Sequence, residues 1–286
     1  MQVEALAKVN FSLEVFGRRS DGYHALRSLV MPISLSDTIV IDEDIDLECD
    51  SGYSDDLILK AAKVLRATAP EDGRSRGARI HVEKRIPAGG GLGGGSADAA
   101  AALVALNDMW GTGLSAEELL AVAAQVGSDV PALVLAQSGG AVLMEGRGER
   151  VSRLPPLYSD SLPEIWLVLA NPGVHCSTPE VFARCTSRVT DDPSILYNMR
   201  PAIESGDIEK IAATLMNDLE APAMALHPRI AEAKEALADA GAVGVTMTGS
   251  GSTVFGLVPD EERGRKMAAL LAGQGLWARA AHTIVP

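Results

Sequence analysis

Six glycines fall within the seven residues Gly89–Gly95, followed at once by a serine and an alanine-rich run: Pro87-Ala88-Gly89-Gly90-Gly91-Leu92-Gly93-Gly94-Gly95-Ser96-Ala97. Glycine has no Cβ, so a ligand can approach such a backbone closely. Ser96 is expected to cap the helix that follows. The first turn of that helix carries unpaired N–H groups and the positive end of the dipole, an anion site suited to the phosphates of a nucleotide. A lysine-bearing phosphate loop is excluded, because no Lys follows the glycines. Gly89, Gly91 and Gly94 meet the dinucleotide pattern literally, but so glycine-rich a stretch meets many patterns. A dinucleotide fold also needs a buried strand before the loop and another strand after the helix. Here Ala78 to Ile86 alternates, which gives one wet face, and the helix is followed by a second helix opened by the capping box Ser115-Ala-Glu-Glu118. A plain flexible linker is disfavoured, because linkers do not run straight into an apolar helix.

Three further segments could do chemistry. Asp129, in Gly127-Ser-Asp-Val-Pro131, is either a base toward a hydroxyl or a turn aspartate, and spacing alone favours the turn. Lys8, in Ala7-Lys-Val-Asn10, is either a snorkelling edge residue or a charge held inside a site, and alone it reads as an edge residue. Asp21-Gly-Tyr-His24 displays an aromatic ring and an imidazole on a turn that is equally a plain β-turn.

The elements around these residues predict an α+β chain. Strands are expected at 11–16, 38–41, 78–86, 139–151, 165–170, 243–248, 252–258 and 278–285. Helices are expected at 55–69, 96–109, 115–126, 178–186, 194–204, 207–219, 229–240 and 260–273. Leu154 to Pro163 carries three prolines and is the best boundary between two domains, 1–158 and 159–286. The length of 286 residues allows a sizeable core, and 47% hydrophobic with 22% charged residues suits a globular protein. A net charge of −13 disfavours nucleic acid and anionic membrane as partners. It does not forbid an anionic small substrate held by backbone N–H groups and one or two lysines. Three scattered cysteines make no disulfide framework, and five histidines show no metal spacing, His175-Cys176 included. The acidic run Asp42 to Asp50 reads as a solvated strand edge. No secretory or membrane-spanning pattern is visible, so the expectation is cytoplasmic.

Pro-x-Gly-Gly-Gly-Leu-Gly-Gly-Gly-Ser-Ala resembles the ATP-binding loop of the GHMP kinases, a superfamily of small-metabolite kinases. The order Ala7-to-Asn10, Asp21-to-His24, Pro87-to-Ala97, Gly127-to-Pro131, Asn171-Pro-Gly173, Ser177-Thr-Pro179 and Thr248-Gly-Ser-Gly251 extends the resemblance over essentially the whole chain. The Asp-Gly-Tyr-His and Gly-Ser-Asp-Val-Pro turns resemble one branch of it, which phosphorylates the 2-hydroxyl of a cytidine diphosphate-linked methylerythritol in the non-mevalonate isoprenoid route. The resemblance implies a ribosomal-protein-S5-like N-terminal domain and a ferredoxin-like C-terminal domain with a cleft between them. ATP would lie against residues 87–97 as phosphoryl donor, with Mg2+ carried on it.

The same resemblance implies roles. Asp129 would take the hydroxyl proton, and Lys8 would hold Asp129 ionised and offset phosphoryl charge. Asn10 would position the methylerythritol. Tyr23 and Phe182 would sandwich cytosine, with His24 on its edge and Thr178 nearby. Gly249, Ser250 and Gly251 would close the phosphate end. The chain departs from the superfamily at Gly94 and Gly95, where many members have serines, so a serine-held Mg2+ is not expected. Ser54-Asp-Asp56 stands where close relatives often show Asp-Asn, which alters any adenine or ribose contact. Rival readings are another GHMP kinase acting on mevalonate or homoserine, a silent nucleotide-binding relative, and a dinucleotide-dependent reductase. The partners implied are small molecules only, for a monomer or weak homodimer.

Overall fold

In the computed structural model, residues 1–52, 56–68, 76–157, 161–186 and 194–285 are described. The first half is built on two long antiparallel strands, β1 (Gln2–Arg18) and β2 (His24–Asp44), joined by the Asp21 turn. They outrun the expected strands at 11–16 and 38–41 because their polar residues are paired across the ladder. Arg27, for example, donates to both carboxylate oxygens of Glu14 at 3.0 Å in an almost fully buried ion pair.

The first sheet runs β3-β4-β2-β1-β8, and the hairpin of β5 and β6 pairs onto β2. Its other strands are β3 (Leu47–Cys49), β4 (Gly77–Glu83), β5 (Val142–Gly146), β6 (Arg150–Arg153) and β8 (Met216–Asn217). Its helices are α1 (Leu57–Thr68), α2 (Gly94–Met109), α3 (Ala116–Val126) and α4 (Val130–Ala136). They cover one face through a core that includes Ile39, Ile80, Leu103, Leu106 and Trp110.

The second sheet is β7 (Trp166–Asn171), β9 (Val243–Met247), β10 (Val254–Leu257) and β11 (Trp277–His282), antiparallel in the order β11-β7-β10-β9. With α9 (Arg229–Asp239) before β9 and α10 (Glu261–Gly273) between β10 and β11, this is the ferredoxin-like arrangement. The remaining helices are α5 (Thr178–Arg184), α6 (Ser194–Ser205), α7 (Ile208–Ala212) and α8 (Glu220–Leu226). Val9, Phe11, Leu29 and Met31 of the first sheet share one core with Leu167, Leu169, Phe255 and Leu257 of the second. Phe11 and Phe255 stack at 5.8 Å. Each such side chain contributes roughly 1.5–3 kcal/mol, so the lobes are held by apolar packing and not by a hinge alone.

Several expectations are corrected. Ser96 does not cap α2: the N-cap is Gly93 at φ 74°, and Ser96 lies inside the first turn. Residues 207–219 are not one helix. The segment stops at Ala212, and Met216–Asn217 pairs in parallel with Ser12–Leu13 of β1, a long-range ladder that overrides local propensity. Residues 139–151 form a hairpin arm that turns at Gly146–Glu149, not one strand. The elements at 47–49, 130–136 and 220–226 were not expected. The Ser115 capping box is present, with both reciprocal bonds. The acidic run holds exposed ion pairs at a strand edge, Asp44 with Arg79 at 3.0 Å and Asp50 with His81 at 2.7 Å. The expected boundary between 158 and 159 falls outside the described residues, as do Ser54 and Asp55. Among the described residues no helix is long and apolar enough to cross a membrane.

Candidate active site

β1 brings Lys8 to the centre of the molecule. The strand slips register against β2 between Leu6 and Lys8, and the Lys8 N–H instead donates to the Leu92 carbonyl in the glycine loop at 3.1 Å. Lys8 is only 3% exposed, so the edge reading fails. Its stem packs on Gly93, where a Cβ would stand 3.3 Å from Lys8 Cγ. Burial pushes the ammonium below its ordinary pKa, and the charge of Asp129 pulls the other way.

Lys8 Nζ donates to Asn10 Oδ1 at 2.6 Å. The same oxygen accepts from Gly249 N at 2.9 Å, and Asn10 Nδ2 donates to Ser28 Oγ at 2.7 Å. Asn10 N donates to Thr248 Oγ1 at 3.1 Å. The amide of Asn10 thus ties the lysine to the Gly249–Gly251 turn of the other lobe. Asn217 holds that turn from below, donating to Met247 O at 2.7 Å and Gly249 O at 2.8 Å. Asn217 and Thr248 act one step behind the cleft, and Ser28 stands on its wall. Thr248 stood within a motif, whereas Asn217 and Ser28 carried no local signal.

Asp129 occupies the N-cap position of α4, yet its side chain makes no capping bond. Its nearest polar partner is Ser128 Oγ, at 3.4 Å from Oδ1. A turn aspartate would spend its carboxylate on backbone N–H groups. This one is left facing a cleft of about 1530 Å3 that also receives Lys8, Asn10, Tyr23, His24 and Phe182. At the mouth Tyr23 is 58% exposed. His24 and Phe182 lie 5.8 Å apart and tilted, and the His24 ring nitrogen Nδ1 is 3.3 Å from Phe16 O. Phe182 therefore stands beside His24, while Tyr23 carries Arg147 on its ring at 5.4 Å. Thr178 and Ser250 share a hydrogen bond of 2.8 Å across the cleft rim.

The glycine loop divides in two. A Cβ on Gly89 would meet the His175 ring at 2.4 Å, and one on Gly90 would meet Asn171 and Thr253 at 2.8 Å. On Gly91 it would stand 2.2 Å from Thr248 O. These three glycines admit the second lobe, and Thr253 N donates to Gly90 O at 3.1 Å to lock the contact. Gly93, Gly94, Gly95 and Ser96 open α2 toward the cleft, whereas Leu92 and Ala97 are buried in the two cores. At Gly95 nothing lies nearer a Cβ than Leu57 at 3.7 Å. We expect Gly91→Ala, at φ 78° and against backbone, to cost about 1–3 kcal/mol from strain alone. Gly95→Ser should leave Tm unchanged. Thermal unfolding of the two variants checks this pair.

Behind the loop, Lys84 Nζ donates to Asp37 Oδ2 and to Asp98 Oδ2, each at 2.5 Å, and Asp37 also accepts from Ile86 N at 2.8 Å. Burial pushes Asp98 up to about 7, against the pull of Lys84. The cluster ties both ends of the loop to β2. Asp56 caps α1, accepting from Ile58 N at 2.7 Å, which commits the described part of the Ser54-Asp-Asp56 segment to the helix end.

Family models match the two halves, GHMP kinases N terminal domain over residues 56–137 and GHMP kinases C terminal over 199–273. A 4-diphosphocytidyl-2-C-methyl-D-erythritol kinase of Pelotomaculum thermopropionicum is 42% identical over 93% of this chain and 91% of its own. The chain belongs to the 4-diphosphocytidyl-2-C-methyl-D-erythritol kinase family of GHMP kinases. A crystal structure of a 4-(cytidine 5'-diphospho)-2C-methyl-D-erythritol kinase superposes with TM-score 0.83 at 34% identity, covering 100% of this chain and 99% of that one. A homoserine kinase from Cytophaga hutchinsonii has TM-score 0.72 at 18% identity, covering 100% of this chain and 94% of its own, and shares the fold. Within the kinase family the cleft just described is the space between the two GHMP lobes.

Proposed function

We propose that the chain transfers the γ-phosphoryl group of ATP to the 2-hydroxyl of 4-diphosphocytidyl-2-C-methyl-D-erythritol, giving the 2-phosphate and ADP in the non-mevalonate isoprenoid route. One observation carries the proposal. A buried lysine and an uncommitted aspartate share a cleft with an exposed tyrosine and a histidine–phenylalanine pair at its mouth. A substrate without a cytosine, such as mevalonate or homoserine, gives no reason for the second set.

The acceptor hydroxyl attacks the γ-phosphorus as the bond to the β-phosphate oxygen breaks and ADP leaves. Asp129 takes the hydroxyl proton. Phosphoryl transfer through a loose transition state asks for positioning and charge more than for a strong base. Lys8, buried and held by Asn10, supplies preorganised positive charge on the same cleft as Asp129. The N–H groups of Gly94, Gly95 and Ser96 open α2 and face the phosphates of ATP.

With Asp129 given to the hydroxyl, Mg2+ would ride on ATP and keep most of its water, as a hard cation often does. Carried on ATP, it neutralises phosphate charge. The proposal extends to a cytoplasmic enzyme with small-molecule partners, monomeric or weakly dimeric. The net charge of −13 supports the exclusion of nucleic acid and anionic membrane.

Tyr23→Ala is expected to raise the KM for the cytidyl substrate by about 5- to 100-fold, since base stacking is worth roughly 1–3 kcal/mol. The KM for ATP should stay near its parent value. Carbon-13 and phosphorus NMR of the product test the regiochemistry: C2 carries a methyl group and no hydrogen, so the new phosphomonoester should show coupling to that carbon and no splitting by a vicinal proton, and a phosphate split by such protons would refute the assignment.

A further inference from the structure

The β5–β6 turn, Gly146-Arg-Gly-Glu149, touches both ends of the cleft. At one end Arg147 lies over the Tyr23 ring, 5.4 Å from its centroid. At the other, a Cβ on Gly148 would stand 3.2 Å from the carbonyl oxygen of Ser128, the residue before Asp129. If cytosine is read at Tyr23 and the hydroxyl reacts at Asp129, the diphosphate joining them must pass this turn. Arg147 stands in that path, lining the cleft together with Arg18 and Glu149.

The guanidinium is placed but not consumed. Its own backbone N–H is fixed by Glu149 Oε2 at 2.6 Å, and the side chain lies within Coulombic range of Asp21 and Glu149. Among the described residues its five N–H groups donate no hydrogen bond. Arg18, by contrast, spends Nε on Gly22 O at 2.9 Å, and Arg19 is held by Asp21 at 3.1 Å. A planar fork of donors suits paired phosphate oxygens, and the contact with the Tyr23 ring consumes none of those donors.

We propose that Arg147 is a specificity-determining residue for the acceptor: stacked on Tyr23, it donates hydrogen bonds to the diphosphate bridge of the cytidyl substrate. This rests on the cytidyl reading above and adds to it a residue that reads the phosphates. It also explains how a chain of net charge −13 admits a diphosphate at this rim.

Calorimetric titration of the full chain with CDP and with cytidine, the ATP site filled by a non-hydrolysable ATP analogue, tests it. Arg147 is exposed, so Arg147→Ala should fold as the parent does, with the same Tm. It should weaken CDP by about tenfold or more, as loss of a charge-assisted hydrogen bond does, and cytidine by less than about threefold. Arg147→Lys should recover part of the CDP affinity, and added salt should narrow the gap between parent and Ala variant. Equal loss for CDP and cytidine would mean that Arg147 acts only through the Tyr23 ring, and no loss for either would make it a surface residue. Both results overturn the proposal. If the parent itself binds neither, the cytidyl reading fails first and takes this proposal with it.

Discussion

Asp129→Asn is expected to fold as the parent does and to turn over at least about a hundredfold more slowly, as loss of a general base does. The two halves of that expectation have separate causes. The Asp129 side chain caps nothing and its nearest polar contact is the 3.4 Å approach of Ser128 Oγ, so an amide of the same shape disturbs no structural bond. Asparagine is also as good an N-cap as aspartate. What it cannot do is accept the proton of the attacking hydroxyl. Single-turnover phosphoryl transfer with saturating ATP reads the effect directly. A folded Asp129→Asn protein with near-parent turnover would remove Asp129 from the reaction.

Lys8→Ala should cost turnover on a similar scale, about two orders of magnitude or more, as loss of a preorganised charge at the reacting group does. The buried charge itself should act on stability with the opposite sign. Burial lowers the Lys8 pKa from 10.5, so over the window between the lowered value and 10.5 the folded chain binds fewer protons here than the unfolded chain. The contribution of this group to stability therefore rises as pH climbs through that window, and below the window burying the lysine costs stability. Lys8→Met, which fills the same space without the charge, should keep or raise Tm while abolishing the rate gain. In the parent, kcat should fall on the alkaline side at a pH below the ordinary lysine value. A Tm drop for Lys8→Met with full activity would contradict both halves.

The amphipathic and alanine-rich helices were legible in the sequence, because their apolar spacing answers to a core on one side only. α1, α2, α3, α9 and α10 lie within two residues of their expected spans. The long strands were only partly legible. Asn10, Ser12 and Glu14 look like exposed positions until Ser28, the Leu29 N–H and Arg27 come across from β2 to partner them in turn. Met216–Asn217 was hidden for the same reason, since its ladder partner sits at Ser12–Leu13.

In the site, spacing alone misread Lys8, which is buried and not at an edge, and it could not show that the Asp129 carboxylate makes no capping bond. The structure adds the division of labour in the glycine loop. Gly89, Gly90 and Gly91 make room for the second lobe, which no local pattern distinguishes from making room for a phosphate. Arg147 was invisible as a candidate because its partner, Tyr23, lies on a different hairpin.

The central claim is phosphorylation of the cytidyl substrate in this cleft, and ADP release measures it. The assay supplies Mg-ATP with 4-diphosphocytidyl-2-C-methyl-D-erythritol, mevalonate, homoserine or galactose, each in turn. Turnover is expected on the cytidyl substrate, with background release on the other three. Turnover on another alcohol alone would keep the kinase fold and contradict the reading of Tyr23, His24, Phe182 and Arg147.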